Sequence, residues 1–341
     1  MSLKDYSFSY PEELSGKAYS LATFFVAIQS TDNIDERAAG LAVGQTIGTW
    51  TEVPGVTESM LRDNMGRVVG VYETPPAELT TQLPENERTF IVQIAFPEVN
   101  IGAVMPMLLT TLLGNDVSTS AQVKLLDIQM SAEYLREFKG PRFGLQGIRE
   151  RTGVEKRALI LNVLKPCTGF PPEVAVPWFE ESARAGSDVI KDDELLCDPS
   201  FNRLEKRVRL FHEAAERVYQ QTGHRALYCA NVTSTPERTI ENARRAKELG
   251  ADLIMVNAVA SGLGILQTLR NMDDVNLPIL SHFAGFATMT ESQRSGIASP
   301  LLLGKLLRVA GADAISFPSP FSAYPLLREQ FVRISRNIQK P

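Results

Sequence analysis

Ala185-Gly186-Ser187-Asp188-Val189-Ile190-Lys191-Asp192-Asp193-Glu194 packs a helix exit, a short apolar strand and an acidic end into one continuous run. Gly186 fits the C-cap of a helix, and Asp188 is a polar residue set just before a buried strand. The same lead-in returns as Leu249-Gly250-Ala251-Asp252 and as Ala310-Gly311-Ala312-Asp313. Short apolar runs at 159–164, 188–191, 226–231, 253–257, 279–282 and 314–317 are each followed by a helix-like segment. Strand–helix units spaced roughly 25–40 residues apart predict parallel strands with helical crossovers. A TIM barrel is the closed solution, with its site on the loops after the strands. No GxGxxG follows a strand, which disfavours the competing doubly wound dinucleotide-binding sheet.

The first part of the chain reads differently. Strand-like runs at 19–30, 66–74, 88–95 and 123–130 are interspersed with helical patterns at 33–44 and 100–113. The expected fold class is therefore α/β: an N-terminal α+β (ferredoxin-like) domain over 1–140, then a (β/α)8 TIM-barrel domain over 141–341. Gly140-Pro141 marks a linker within 138–147. Only about six of the eight barrel units are counted in the chain, so its C-terminal units are expected to be missing.

Composition narrows the function. The 341 residues carry 35 Lys plus Arg against 40 Asp plus Glu, a net charge of -5, which gives no support for nucleic-acid binding. No apolar run is long enough to span a bilayer and the first ten residues are polar, so a cytoplasmic protein without membrane contact is expected. Cys167, Cys197 and Cys229 form no CxxC pair, which excludes a disulfide framework and a cysteine-based zinc site. With only His212, His224 and His282 available, a bound metal needs oxygen ligands. His212 and His224 read as surface or capping residues, Cys167 as a small buried hydrophobe, and Trp178 as packing.

Chemistry concentrates at the end of the 188–191 strand. Strand alternation puts Val189, Lys191 and Asp193 on one face and Asp192 on the other, with Glu194 free to turn back toward the barrel mouth. Two carboxylates beside a lysine suit a hard cation such as Mg²⁺. The run also reads as a solvated acidic turn in which Lys191 is a surface ion-pair partner.

The 186–194 run resembles the metal-site signature of the ribulose-bisphosphate carboxylase large-subunit superfamily. The resemblance implies that Lys191 is carbamylated by CO₂ and ligates Mg²⁺ together with Asp193 and Glu194. Further segments are similar in order along residues 20 to 325. Lys165-Pro166 resembles the site of the lysine that removes a proton α to the ketone. His282 resembles a substrate-contacting histidine. Gly48-Thr49-Trp50-Thr51 resembles a loop that reaches the substrate phosphate of a neighbouring subunit, and Gly114-Asn115 resembles an asparagine from the same domain. The implied substrate-binding residues are Thr49, Trp50, Asn115 and Ser316, the implied catalytic ones Lys165, Lys191 and His282. A homodimer with shared sites follows from the same resemblance.

Departures from the carboxylase pattern bear on the reaction. Gly44 stands for a glutamate, Cys167 for the second lysine of Lys-Pro-Lys, Phe283 for an arginine and Ser316-Phe317 for a histidine-containing strand end; no lysine follows near Ala323. The missing lysine would stabilise the new carboxylate, so CO₂ fixation is not expected. The pattern resembles the RuBisCO-like proteins (form IV), enzymes that enolise a sugar-derived, phosphorylated ketone. For Lys165 to serve as base its pKa must fall. Phe317-Pro318-Ser319-Pro320, Ile47-Gly48-Thr49-Trp50 and Gly140-Pro141-Arg142-Phe143-Gly144 are similar to the 2,3-diketo-5-methylthiopentyl-1-phosphate enolase branch, although Asn115 stands where that branch has a lysine base. Two alternatives remain open. One is a lyase that decarboxylates a 3-oxo sugar acid or its phosphate (3-oxo-isoapionate type) through the same enolate. The other is a non-catalytic binding protein, should the chain truly end at Pro341.

Overall fold

The computed structural model of the chain describes residues 7–49, 51, 53–120 and 122–340. Two compact units result: residues up to Phe138 together with Ala287–Leu302, and Lys139–Phe286 together with Leu303 onward.

In the first unit, β1 (Tyr19–Gln29), β2 (Arg67–Glu73), β3 (Glu87–Pro97) and β4 (Val123–Gln129) form a sheet in the order β4-β1-β3-β2, every pair antiparallel. With helix Ile34–Gly44 between β1 and β2, and helix Met105–Leu113 between β3 and β4, this is the βαββαβ arrangement of a ferredoxin-like fold. Period-two burial selects the core face: Ala22, Phe24 and Val26 on β1 meet Val92, Ile94 and Phe96 on β3, all fully buried. Each such side chain contributes about 1.5–3 kcal/mol when removed from water, apart from the smaller alanine. Asn33 caps the first long helix by accepting from the Asp35 and Glu36 N–H groups. A short strand from the far part of the chain, Gly296–Ile297, adds parallel to β4, which places Ala287–Leu302 in this unit and makes the division of the chain discontinuous.

The second unit is built on six parallel strands in sequential order: β5 (Leu161–Val163), β6 (Val189–Lys191), β7 (Leu227–Asn231), β8 (Leu253–Val256), β9 (Ile279–Ser281) and a last strand, Ala314–Ile315. Helices Pro172–Arg184, Leu204–Thr222, Pro236–Glu248 and Leu263–Asn271 cross between successive strands. These are the repeating units of a TIM-type barrel, of which six lie among the described residues. The segment read as a linker contains helix from Gly144 onward.

The three repeated lead-ins have one physical job. Gly186, Gly250 and Gly311 all sit at positive φ, the left-handed exit that an L-side chain resists. Each following aspartate then accepts a backbone N–H at the start of the neighbouring strand: Asp188 from Ile160 (2.7 Å), Asp252 from Tyr228 (2.9 Å) and Asp313 from Ile279 (2.9 Å). Val189, Leu227, Cys229, Leu253, Met255 and Leu280 form the buried cluster between the strands, with Ala314 packed against it. Counting in twos along each strand from these residues gives the inward face.

Candidate active site

That count carries Val189 to Lys191 and Asp193, Cys229 to Asn231, Met255 to Asn257, Leu280 to His282 and Ala314 to Ser316. All of these lie at the C-terminal strand ends, where barrel enzymes place their chemistry. Asp192, on the opposite parity, turns outward into a dry ion pair. Its carboxylate accepts from Arg207 Nε (3.1 Å), the Tyr228 hydroxyl (2.8 and 2.9 Å) and the Asn231 N–H (2.9 Å). The remaining Arg207 donors reach Asn202 and the Cys197 carbonyl, so this buried pair is fully hydrogen-bonded.

The inward residues converge. Lys165, just beyond β5, donates to Asp193 Oδ2 at 2.5 Å and to Cys167 Sγ at 3.1 Å. Lys191 is buried, donates to the Asp192 carbonyl (2.9 Å), and stands 3.7 Å from Glu194 Oε2. His282 Nε2 lies 3.5 Å from that same oxygen, while Nδ1 accepts the Ala284 N–H, which assigns the ring proton to Nε2. Burial, then the neighbouring Lys191 charge, lowers the His282 pKa to about 4, so the ring is neutral at pH 7. Burial raises the Asp193 acid, but the Lys165 and Leu195 donors outweigh it and leave the carboxyl below its ordinary range. The Asp193 carboxylate, followed by the Cys167 thiol, holds Lys165 above the ordinary lysine range. The expected fall of the Lys165 pKa is therefore reversed here, because its ammonium has a carboxylate partner. Cys167, expected as a buried hydrophobe, is instead a half-buried polar contact of Lys165.

Five of the residues singled out in the sequence, Lys165, Lys191, Asp193, Glu194 and His282, thus meet at one rim. Ser316 shares the inward parity and its buried Oγ has no partner among the described residues. Thr49 and Asn115 belong to the first unit; Thr49 bonds within its own loop to Thr51, and Asn115 lines an open cleft of about 800 Å³ with Gly44, Gln45 and Asp116. Trp50 lies outside the described residues. His224, read as a surface or capping residue, hydrogen-bonds the Ser187 carbonyl at 2.9 Å.

Sequence reasoning missed two residues, Asn231 and Asn257. Asn231 Nδ2 donates to the Asp193 and Glu194 carbonyls (3.2 and 3.1 Å), and Asn257 Nδ2 to the Glu194 carbonyl (3.0 Å). Both are polar residues ending apolar strands on the inward parity, a signal that was available.

Among the described residues no three His, Cys, Asp or Glu side chains are grouped to hold a metal. The set at issue has only two of that kind, Asp193 and Glu194, with the lysine as third member. A buried amine beside two hard oxygen donors fits a carbamate-completed cation site in its donor chemistry.

The chain matches the family description of the ribulose bisphosphate carboxylase large chain twice, over residues 12–134 for the N-terminal domain and 144–319 for the catalytic domain. It belongs to that family. A ribulose bisphosphate carboxylase-like protein of Archaeoglobus fulgidus is 40% identical over 97% of this chain and 76% of the relative. A 2,3-diketo-5-methylthiopentyl-1-phosphate enolase of Geobacillus thermodenitrificans is 41% identical over 93% of this chain and 76% of the relative. The solved rubisco-like protein MtnW of Alicyclobacillus acidocaldarius superposes with a TM-score of 0.86 at 35% identity, covering 95% of this chain and 79% of that one. The chain is a RuBisCO-like enzyme whose relatives include enolases. No helix among the described residues is long and apolar enough to cross a membrane.

Proposed function

We propose that the chain is a Mg²⁺-dependent enolase of a phosphorylated, sugar-derived ketone, with 2,3-diketo-5-methylthiopentyl-1-phosphate as the nearest substrate. The meeting of Lys165, Lys191, Asp193, Glu194 and His282 at one rim carries this reading. Lys191, as a carbamate, with Asp193 and Glu194 would hold the cation. A cation bound there supplies Lewis-acid polarisation of the ketone. Lys165 Nζ takes the α-proton. A cation at Asp193 competes with the Lys165 ammonium for that carboxylate, so cation binding favours the neutral, basic form of Lys165. Neutral His282 offers an Nε2–H to a substrate oxygen. Thr49, Trp50 and Asn115 complete the site of a second copy in a homodimer.

Turnover of the diketo phosphate, followed by product formation with and without a chelator, tests the reading. Enol product that disappears on Mg²⁺ removal and returns on its addition is expected. Release of CO₂ from a 3-oxo sugar acid, with the diketo phosphate untouched, would replace it by the decarboxylase.

A further inference from the structure

Asn257 ends β8 on the inward face and is 9% exposed. Its amide cannot turn freely: Nδ2 is committed to the Glu194 carbonyl at 3.0 Å, and its backbone N–H to Thr233 Oγ1 at 3.0 Å. The other end of the amide, Oδ1, is buried and accepts nothing among the described residues. Asn231 provides the internal comparison. It clamps the same turn from β7, but its Oδ1 accepts the Thr233 N–H at 3.1 Å. Of two asparagines doing the same structural work, one is saturated and the other keeps an acceptor open.

A buried carbonyl oxygen without a donor is costly, and native proteins retain one where a ligand or water completes it. The surroundings indicate a ligand. Val256 pairs with Ser281 in the ladder, so Asn257 faces His282 on the adjoining strand, and Ser316 follows on the strand beyond with its own unpartnered buried Oγ. Three neighbouring strand ends therefore carry an acceptor, an imidazole and a hydroxyl on the same inward face, the acceptor and the hydroxyl both shielded from solvent.

We propose that Asn257 is a substrate-reading residue whose Oδ1 accepts a hydrogen bond from an O–H group of the ligand. This rests on the enolase reading, in which that O–H is the enol hydroxyl. On enolisation Lys165 takes the proton from the α-carbon and the ketone oxygen takes one back, from the Lys165 ammonium or from solvent, so that it ends as a hydroxyl. An amide oxygen repels the lone pairs of a ketone and attracts the same oxygen once it bears hydrogen. Asn257 thus favours the enol over the ketone, a preference that raises turnover rather than ground-state affinity.

The test uses two probes that differ only in whether the C2 oxygen bears hydrogen: glycerol 3-phosphate, the hydroxylated probe, and dihydroxyacetone phosphate, its ketone. Their binding to the full chain is measured calorimetrically with saturating Mg²⁺ and bicarbonate. The wild type is expected to prefer the hydroxylated probe by roughly tenfold, one hydrogen bond's worth. Asn257→Leu, which has neither donor nor acceptor, should lose that preference. Asn257→Asp should keep it while binding Mg²⁺ more weakly, because the donation to Glu194 is gone. Wild-type affinities that do not differ, or a Leu variant that keeps the preference, would overturn the proposal and leave Oδ1 to a structural water. Absence of diketo phosphate turnover would defeat the enolase reading while the probe pair still reports on Asn257. Thermal unfolding midpoints of the variants separate either result from misfolding.

Discussion

Lys165 and Asp193 face each other across the ends of β5 and β6, ammonium to carboxylate at 2.5 Å. The pair links the expected base to an expected cation ligand, so a change at one is felt at the other.

Replacing Lys165 by Met removes the base and frees Asp193. Exchange of the substrate α-proton with solvent should fall at least about 10²-fold. Mg²⁺ affinity should be unchanged or tighter, since the competing ammonium is gone. Calorimetric Mg²⁺ titration beside an NMR exchange assay reads both.

Lys191→Ala removes the buried amine and with it the carbamate. Mg²⁺-dependent turnover should be lost, and added bicarbonate, which should activate the wild type, should have no effect on the variant. Activity measured across a bicarbonate series separates the two. Undiminished turnover in the variant would remove Lys191 from the cation site.

Much of this was legible in the sequence. The inward parity of Lys191, Asp193 and His282 follows from strand alternation alone, and the glycine–aspartate lead-ins marked where β6, β8 and the last strand begin. The job of those aspartates was not legible: Asp188 binds the Ile160 N–H, a partner 28 residues away. Nor could spacing show that Lys165 is held by Asp193, or that the amides of Asn231 and Asn257 fix the turn between them, because those contacts join different strands. The addition of Gly296–Ile297 to β4 was equally hidden, as a two-residue pairing leaves no periodic trace.

Asp188 supports a pH prediction. Arg157 donates to both of its oxygens, and this ion pair, against the opposing effect of burial, holds the carboxyl below its ordinary range. A carboxyl depressed in the folded state adds stability in full above the unfolded value of about 4, and that stability is lost as pH falls through the depressed value. Asp188→Asn should therefore cost about 2 kcal/mol at neutral pH, with the gap to wild type closing below about pH 4. Urea unfolding at several pH values measures it.

Arg207 is 0% exposed and paired with Asp192 beneath the site. Arg207→Met leaves a buried carboxylate without its counter-charge and should destabilise the fold by about 3–5 kcal/mol. Chemical denaturation checks the magnitude.

Shared sites predict complementation. Asn115→Ala and Lys165→Met, each expected to be inactive alone, should regain activity when co-expressed, since a mixed dimer holds one site free of both changes. Activity of the co-purified mixture that stays at the level of the separate variants would place both residues in one subunit's site.

Incubating the protein with 2,3-diketo-5-methylthiopentyl-1-phosphate, Mg²⁺ and bicarbonate in deuterated water gives the sharpest reading of the enolisation. NMR should show the enol accumulating without carbon loss and deuterium entering the α-carbon of recovered ketone, both abolished by Lys165→Met. Enol formation and exchange that persist in that variant would contradict Lys165 as the base at this rim.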